Sequence, residues 1–241
     1  MAHRGASGLA PENTLAAFRR ALEVGADTLE LDVHLSQDGH VVVIHDSTLD
    51  RTTSGTGAVS RLTLEQIKEL DAGSWFAPEF AGEKVPTLQE VLDLAEADTL
   101  FEVELKTFSI WPKGIVKEVV DVITRKGMED RVVIQSFNPL ALFHVKRANS
   151  AIATGLLYSG DLPLPLRNRW LTPLAHPDSL NVGMDLATAD HVAEMRAKGY
   201  PVVVWTVDQP DDMQRMIDLG VNGIMTNRPE LLAEILGDQG Q

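Results

Sequence analysis

Cysteine is absent from the 241 residues, which excludes disulfides, zinc–thiolate sites and thiol nucleophiles and is compatible with a reducing compartment. No apolar run approaches the roughly 18 residues that a membrane-spanning helix needs. Basic residues are outnumbered, 21 Lys and Arg against 35 Asp and Glu, and the net charge of −14 argues against broad binding to nucleic acid or to anionic membranes. An anionic substrate would have to be held locally, by a metal and a few placed cations. Low-complexity tracts are missing, and so is a Gly-x-Gly-x-x-Gly dinucleotide fingerprint after the first apolar run. With a catalytic candidate at position 3, no signal peptide is expected. The expectation is a cytoplasmic protein with no stable membrane insertion, in which homo-oligomerisation stays open.

Short apolar runs instead alternate with helical patterns along the whole chain. The runs cover residues 28–33, 100–105, 131–136, 153–158, 180–184, 202–207 and 223–226, and residues 1–4 add an eighth. Helical patterns cover residues 14–24, 87–95, 113–126, 139–147, 188–198, 211–219 and 229–236, with Gly25, Gly127, Gly199 and Gly220 as stop signals. Alternation of this kind without hairpins implies a parallel sheet. Eight units in this length predict an α/β fold, a TIM (β/α)8 barrel forming one domain over residues 1–241. Residues 36–86 break the rhythm with a short apolar run at 41–44 and a brief helix at 63–70. They read as an insertion after the second strand, too small to bury a core of their own. Residues 159–178, rich in proline and leucine, are expected to cover one side of the barrel mouth.

Chemistry collects at strand ends, where barrel enzymes keep their catalytic groups. Strand alternation puts Glu30 and Asp32 on one face. Two carboxylates so placed repel unless something positive sits between them, and a hard divalent cation with oxygen ligands answers that need. Glu104 and Lys106 share a face at the end of the next strand, and Trp205 ends the penultimate one. His3 and His45 bracket the carboxylates, so that proton exchange near neutral pH is expected. The combination suggests metal-assisted hydrolysis.

The ordered segments His3-Arg4-Gly5, Pro11-Glu12-Asn13-Thr14, Glu30-Leu31-Asp32-Val33, Asp38-Gly39, His45-Asp46, Arg51-Thr52-Thr53, Gly73-Ser74-Trp75-Phe76, Pro86-Thr87-Leu88, Glu104-Leu105-Lys106, Gln135-Ser136-Phe137 and Trp205-Thr206-Val207 span nearly the whole chain. As a set they resemble the glycerophosphodiester phosphodiesterase family. The resemblance implies a TIM barrel that uses one divalent cation, Mg²⁺ or Ca²⁺ with Mn²⁺ possible, to hydrolyse a glycerophosphodiester to glycerol 3-phosphate and an alcohol. It implies Glu30, Asp32 and Glu104 as metal ligands and His3 and His45 as the acid–base pair. It also implies Arg4 and Lys106 as phosphate-gripping cations, and Trp205 as the wall of the glycerol pocket. Lysophospholipase D action is the nearest enzymatic alternative; a catalytically silent phosphodiester-binding barrel is the alternative from another class.

Several residues carry plainer expectations. Glu12 and Asp46 orient Arg4 or His45 rather than react. Asn13 and Thr14 cap the first helix, Arg51 staples a loop, and His34 lies beyond its strand end. Trp75 and Phe76 are expected in the core between insertion and barrel. Phe108, Ile110 and Trp111, just after the Lys106 strand, could meet an acyl chain, with packing against the insertion favoured. Glu102 shares the inward face with Glu104, where the family often has asparagine; it is expected to meet a buried base or to add negative charge beneath the metal. Only Met1 and Ala2 precede His3, so the first strand is stubby or the chosen start is late.

Overall fold

Period-two apolar runs become strands, and 3.6-period patterns become the helices that cover them. The computed structural model describes residues 1–238. Its strands are β1 (Thr28–Leu35), β2 (Val41–Val43), β3 (Leu100–Leu105), β4 (Val132–Ser136), β5 (Ala153–Tyr158), β6 (Ser179–Gly183), β7 (Val202–Trp205) and β8 (Gly223–Ile224). All neighbours from β1 through β3 to β8 pair in parallel. β2 instead folds back antiparallel on β1, with Val33 opposite Val43, so the insertion begins as a hairpin on the outside of the barrel.

The expected strand at residues 1–4 is a single bridging residue. Ala2 pairs in parallel with Leu29 on one side and Thr226 on the other. The ladder around it is complete: Ala2 N–H donates to Thr28 at 2.8 Å, Glu30 N–H to Ala2 at 3.0 Å, His3 N–H to Thr226 at 2.9 Å and Thr226 N–H to Met1 at 3.1 Å. One residue thus closes a TIM barrel, and the chain turns away at once because Arg4 and Gly5 both take positive φ, 57° and 79°. A Cβ on Gly5 would sit 2.6 Å from the Ala17 carbonyl carbon, so only glycine permits this turn.

The outer helices are α1 (Leu15–Glu23), α3 (Leu88–Leu92), α4 (Lys113–Lys126), α5 (Pro139–Ala148), α8 (Ala189–Ala197), α9 (Pro210–Asp218) and α10 (Pro229–Asp238), with α2 (Leu64–Glu69) in the insertion. Thr14, Thr63 and Thr87 accept from the N–H groups of Ala17, Gln66 and Glu90 to start α1, α2 and α3. The stretch from 159 to 178 contains two short helices, α6 (Leu164–Arg167) and α7 (Thr172–Ala175), which proline and leucine had hidden. The insertion buries a small apolar cluster that includes Val42, Ile44, Leu49 and Ile67. Trp75 does not join a core: it is 41 % exposed, its indole N–H donates to the Ala72 carbonyl at 2.9 Å, and its ring meets Phe76 edge to face at 5.7 Å.

The barrel interior is more polar than the branched aliphatic layers usual in this fold. Register places Glu30 beside Glu102, Asp32 beside Glu104, and Glu104 beside Gln135. Gln135 and Asn181 are fully buried. The Gln135 amide donates to Glu30 at 3.1 Å, and Asn181 Nδ2 donates to Gln135 at 2.8 Å and to Glu102 at 3.0 Å. Gly155 makes room, since a Cβ there would lie 2.8 Å from Asn181 Nδ2. The expected buried base for Glu102 is therefore a neutral amide, and Glu102 Oε2 has no hydrogen-bond partner.

Burial raises the Glu102 carboxyl to about 7, against the opposing pull of the Asn181 hydrogen bond and the N-terminal charge. A raised carboxylate favours folding below its unfolded value and loses that contribution as pH climbs from about 4.5 to about 7. Replacing Glu102 with Gln keeps the acceptor for Asn181 and removes the charge. We expect Glu102→Gln to stabilise the protein at pH 8 by up to about 3 kcal/mol, worth roughly 6–12 °C in Tm, with no gain at pH 4. Thermal unfolding at the two pH values checks this, and an equal gain at both would refute it.

Candidate active site

Eight side chains converge at the C-terminal mouth of the barrel. Glu30 and Asp32 come from β1, Glu104 from β3, and one carboxylate oxygen from each lies within 4.8 Å of the other two. All three are buried. Lys106 Nζ stands 2.8 Å from Glu104 and 3.4 Å from Asp32, and Arg4 Nε is 3.3 Å from Asp32. Burial first, then the negative neighbours, raises Glu30 well above its ordinary value and lifts Glu104 to about 7. Asp32 moves the other way: burial opposes ionisation, but Lys106 and Arg4 outweigh it and hold the carboxyl low.

This arrangement fits a divalent ion. Three buried carboxylates cannot all ionise side by side without more positive charge than two cationic side chains supply. Asp32 Oδ1 is buried and makes no hydrogen bond, with only the Lys106 ammonium at 3.4 Å beside it, so that its lone pairs could serve an ion. The surrounding bonds orient the carboxylates: Arg4 N–H donates to Glu30 at 2.9 Å. Asn13 Nδ2 donates to Asp32 Oδ2 at 2.9 Å, while its own oxygen accepts from the Asp32 N–H at 3.3 Å. Asn13, expected only to cap a helix, thus fixes the Asp32 carboxylate; Thr14 alone makes the cap.

The histidines stand on opposite sides. His3 Nδ1 lies 2.7 Å from Asn227 Oδ1. The Asn227 amide is oriented by Asp208, which accepts from Nδ2 at 2.7 Å and from the Asn227 N–H at 2.8 Å, and Ser7 Oγ donates to Asn227 Oδ1 at 2.7 Å. Asn227 Oδ1 is then an acceptor, so His3 carries its proton on Nδ1 and turns an unprotonated Nε2 toward Glu30, 4.0 Å away. Burial, then Arg4, lowers His3 to about 4. His45 Nδ1 is 2.6 Å from Asp46, and burial also lowers its pKa. Both shifts depart from the expectation of exchange near neutral pH.

A chain of ion pairs ties His45 to the carboxylate cluster. Arg51 donates to Asp46 at 2.7 Å and to Glu12 at 2.8 and 2.9 Å, and Arg4 Nη1 donates to the same Glu12 at 2.9 Å. Arg51 is a staple between the insertion and the first turn. His34 Nε2 donates to the His45 carbonyl at 3.0 Å, which holds the His45 backbone without reaching the pocket. The pocket itself, about 140 Å³, is lined by His3, Arg4, Glu30, His45, Lys106 and Trp205 among others. Trp205 meets Phe137 edge to face at 5.4 Å, and its indole N–H is held by the Asn181 carbonyl at 2.9 Å.

Sequence reasoning overlooked Gln135, Asn181, Asp208 and Asn227 as supports of the site. Parity could have found the first two, which face inward like Glu104. Phe108, Ile110 and Trp111 do not pack on the insertion: they are 77 %, 69 % and 71 % exposed.

A barrel whose mouth combines a carboxylate trio, two cations and two flanking histidines is equipped for hydrolysis of a phosphate ester. Comparison with known proteins gives the family. The sequence model of the glycerophosphoryl diester phosphodiesterase family matches residues 3–231, and the chain belongs to that family. It is similar to the glycerophosphodiester phosphodiesterase of Caldanaerobacter subterraneus subsp. tengcongensis, at 44 % identity over 100 % of this chain and 98 % of the relative. A glycerophosphodiester phosphodiesterase of Bacillus subtilis is 33 % identical over 98 % of this chain and 85 % of its own. Among solved structures, a phosphodiesterase of Oleispira antarctica in complex with the product sn-glycerol 3-phosphate superposes with a TM-score of 0.90, at 30 % identity over 98 % of this chain and 95 % of that one. No helix among the described residues is long and apolar enough to cross a membrane.

Proposed function

We propose that the protein hydrolyses glycerophosphodiesters to sn-glycerol 3-phosphate and an alcohol, with His3 as base and His45 as acid. The observation that carries the reading is the pairing of a buried three-carboxylate cluster with an unprotonated histidine nitrogen on one side and a carboxylate-held histidine on the other. The product held by the Oleispira relative supports glycerol 3-phosphate as the product here. We read the chain as one barrel domain with residues 36–86 as its insertion, supported by the pairing of β2 with β1.

Glu30, Asp32 and Glu104 hold Mg²⁺ or Ca²⁺, with Mn²⁺ accepted by the same hard oxygens. When bound, the ion neutralises phosphate charge and so lowers the barrier to attack. Arg4 and Lys106 contact the phosphate oxygens alongside it, with Glu12 holding the Arg4 guanidinium. His3 Nε2 takes the proton from the nucleophile, which is either water or the glycerol 2-hydroxyl, the latter closing a cyclic phosphate that water then opens to glycerol phosphate, and Asn227 keeps the His3 tautomer. On the insertion side His45, oriented by Asp46, returns a proton to the departing alcohol. Trp205 and Phe137 wall the glycerol end.

The test is a panel of glycerophosphocholine, glycerophosphoethanolamine and glycerophosphoglycerol, each with Mg²⁺, Ca²⁺ or EDTA. We expect metal-dependent release of glycerol 3-phosphate from at least one. Absence of turnover with every substrate and metal would leave a silent binding barrel.

A further inference from the structure

A cavity of about 660 Å³ opens at the end of the barrel opposite the catalytic mouth, lined by residues at the starts of β1 and of β3 to β8. It has the size of sites that enclose whole small molecules, about 300–1,000 Å³. The catalytic groups of a TIM barrel stand at the other face, so this space has no part in the hydrolysis. Leu100, Val203, Ile217, Val221, Leu232 and Leu236 make its walls apolar. Leu100 and Leu236 are exposed, which gives the cavity an open rim.

One polar group borders this apolar space with a bond left unmade. Glu102 lines the cavity two residues further along β3 than Leu100 and is only 2 % exposed. Its Oε1 accepts from Asn181 Nδ2 at 3.0 Å, and Asn181 is fixed in turn by its bond to Gln135 at 2.8 Å. Oε2 has no hydrogen-bond partner. Among the described residues no basic group pairs with Glu102: the Met1 ammonium donates to the Ile224 carbonyl at 3.1 Å, and Lys146 pairs with Asp178 at 2.6 Å. A buried carboxylate oxygen in that condition is costly, and a donor arriving in the cavity removes the cost. Asp27, exposed at the rim, adds negative charge, its carboxylate accepting from the Thr28 hydroxyl at 2.9 Å. A hard metal ion does not suit the place, because it asks for six or more oxygen ligands and apolar walls supply none. An organic ammonium does suit it, having N–H donors for the oxygen and a carbon body for the walls.

We infer that this end of the barrel is a second ligand site, one that takes a protonated primary amine with an apolar body. The ammonium donates to Glu102 Oε2, and the body lies against Leu100, Ile217, Leu232 and Leu236. The site is separate from the catalytic mouth and stands whether or not the phosphodiesterase reading does.

The experiment is equilibrium dialysis of the intact protein at pH 8 against phenylbutylamine, phenylbutanol and phenylbutanoate, which share one apolar body. The amine should bind about ten- to a hundredfold more tightly than the alcohol, the worth of a charge-assisted hydrogen bond, and the anion should bind most weakly. Glu102→Gln keeps the acceptor for Asn181 and should erase the advantage of the amine while changing the alcohol by less than about twofold. Leu236→Ser, at an exposed position that does not threaten folding, should weaken amine and alcohol alike by severalfold. Phe108→Ser, at the catalytic mouth, should change neither. An amine that binds no better than the alcohol, or not at all, would overturn the inference and leave Oε2 to water. Amine binding that survives Glu102→Gln unchanged would also overturn it, and its loss in Phe108→Ser would move the amine to the mouth.

Discussion

Stripping metal from the protein is expected to abolish phosphodiester hydrolysis, and Glu104→Gln is expected to weaken metal binding sharply without unfolding the barrel. The electrostatics set the direction. Glu104 sits with Glu30 and Asp32 within 4.8 Å, and burial with like charges pushes its carboxyl up to about 7. A divalent ion reverses that penalty, because it favours the ionised form of every carboxylate it touches. Metal affinity should therefore rise with pH through the range where Glu104 and Glu30 lose their protons. In the Gln variant this rise should flatten, since one of the two protons is gone. Calorimetric titration of the metal-free protein at several pH values measures both effects. Metal binding should also raise the unfolding free energy by about 2.7 kcal/mol at a hundredfold excess over Kd. Activity persisting in EDTA, after dialysis that removes tightly held ions, would refute the metal reading.

The parts of this site that were legible in the sequence are those that strand parity exposes. Glu30, Asp32, Glu104 and Lys106 lie on alternating positions of two neighbouring strands, so their shared face follows from period two alone. The structure gathers the same residues into one cluster, with Glu30, Glu104 and Lys106 on the pocket wall and Asp32 beside them, 3.4 Å from Lys106. Residues in loops are another matter. His3 owes its place to a one-residue stave and to the left-handed turn at Arg4 and Gly5, neither of which has a periodic signature. Asn13 follows the same logic: its positive φ of 57° turns the side chain onto Asp32, where a helix cap was expected. The Asp208–Asn227 pair joins segments after β7 and β8, and its partner His3 lies 224 positions away in sequence. Local pattern carries no information at that range. The exposure of Phe108, Ile110 and Trp111 was misjudged for a related reason: hydropathy marks a residue as apolar without saying whether any surface comes near enough to cover it.

Replacing His3 or His45 with alanine is expected to cut turnover by about 10²–10⁴-fold each, with metal binding retained because neither is proposed as a ligand. In the free protein both imidazoles are depressed, His3 to about 4 chiefly by burial and by Arg4, His45 chiefly by burial. A bound dication adds positive charge and pushes both further down. The base must be neutral and the acid protonated, so kcat/KM should rise as His3 loses its proton and fall as His45 loses its own. The bell should therefore lie on the acidic side of the ordinary histidine value of about 6.5, and a descending limb above pH 7 would contradict His45 as the acid. Substrate leaving groups separate the two roles. A nitrophenyl ester of glycerol phosphate departs with little protonation, so it should restore His45→Ala toward the intact protein and leave His3→Ala impaired. With Nδ1–H engaged by Asn227 at 2.7 Å, His3 has only Nε2 free, and that nitrogen can accept but not donate until it is protonated. Equal rescue of both variants, or of neither, would end the division of labour, and rescue of His3→Ala alone would reverse it.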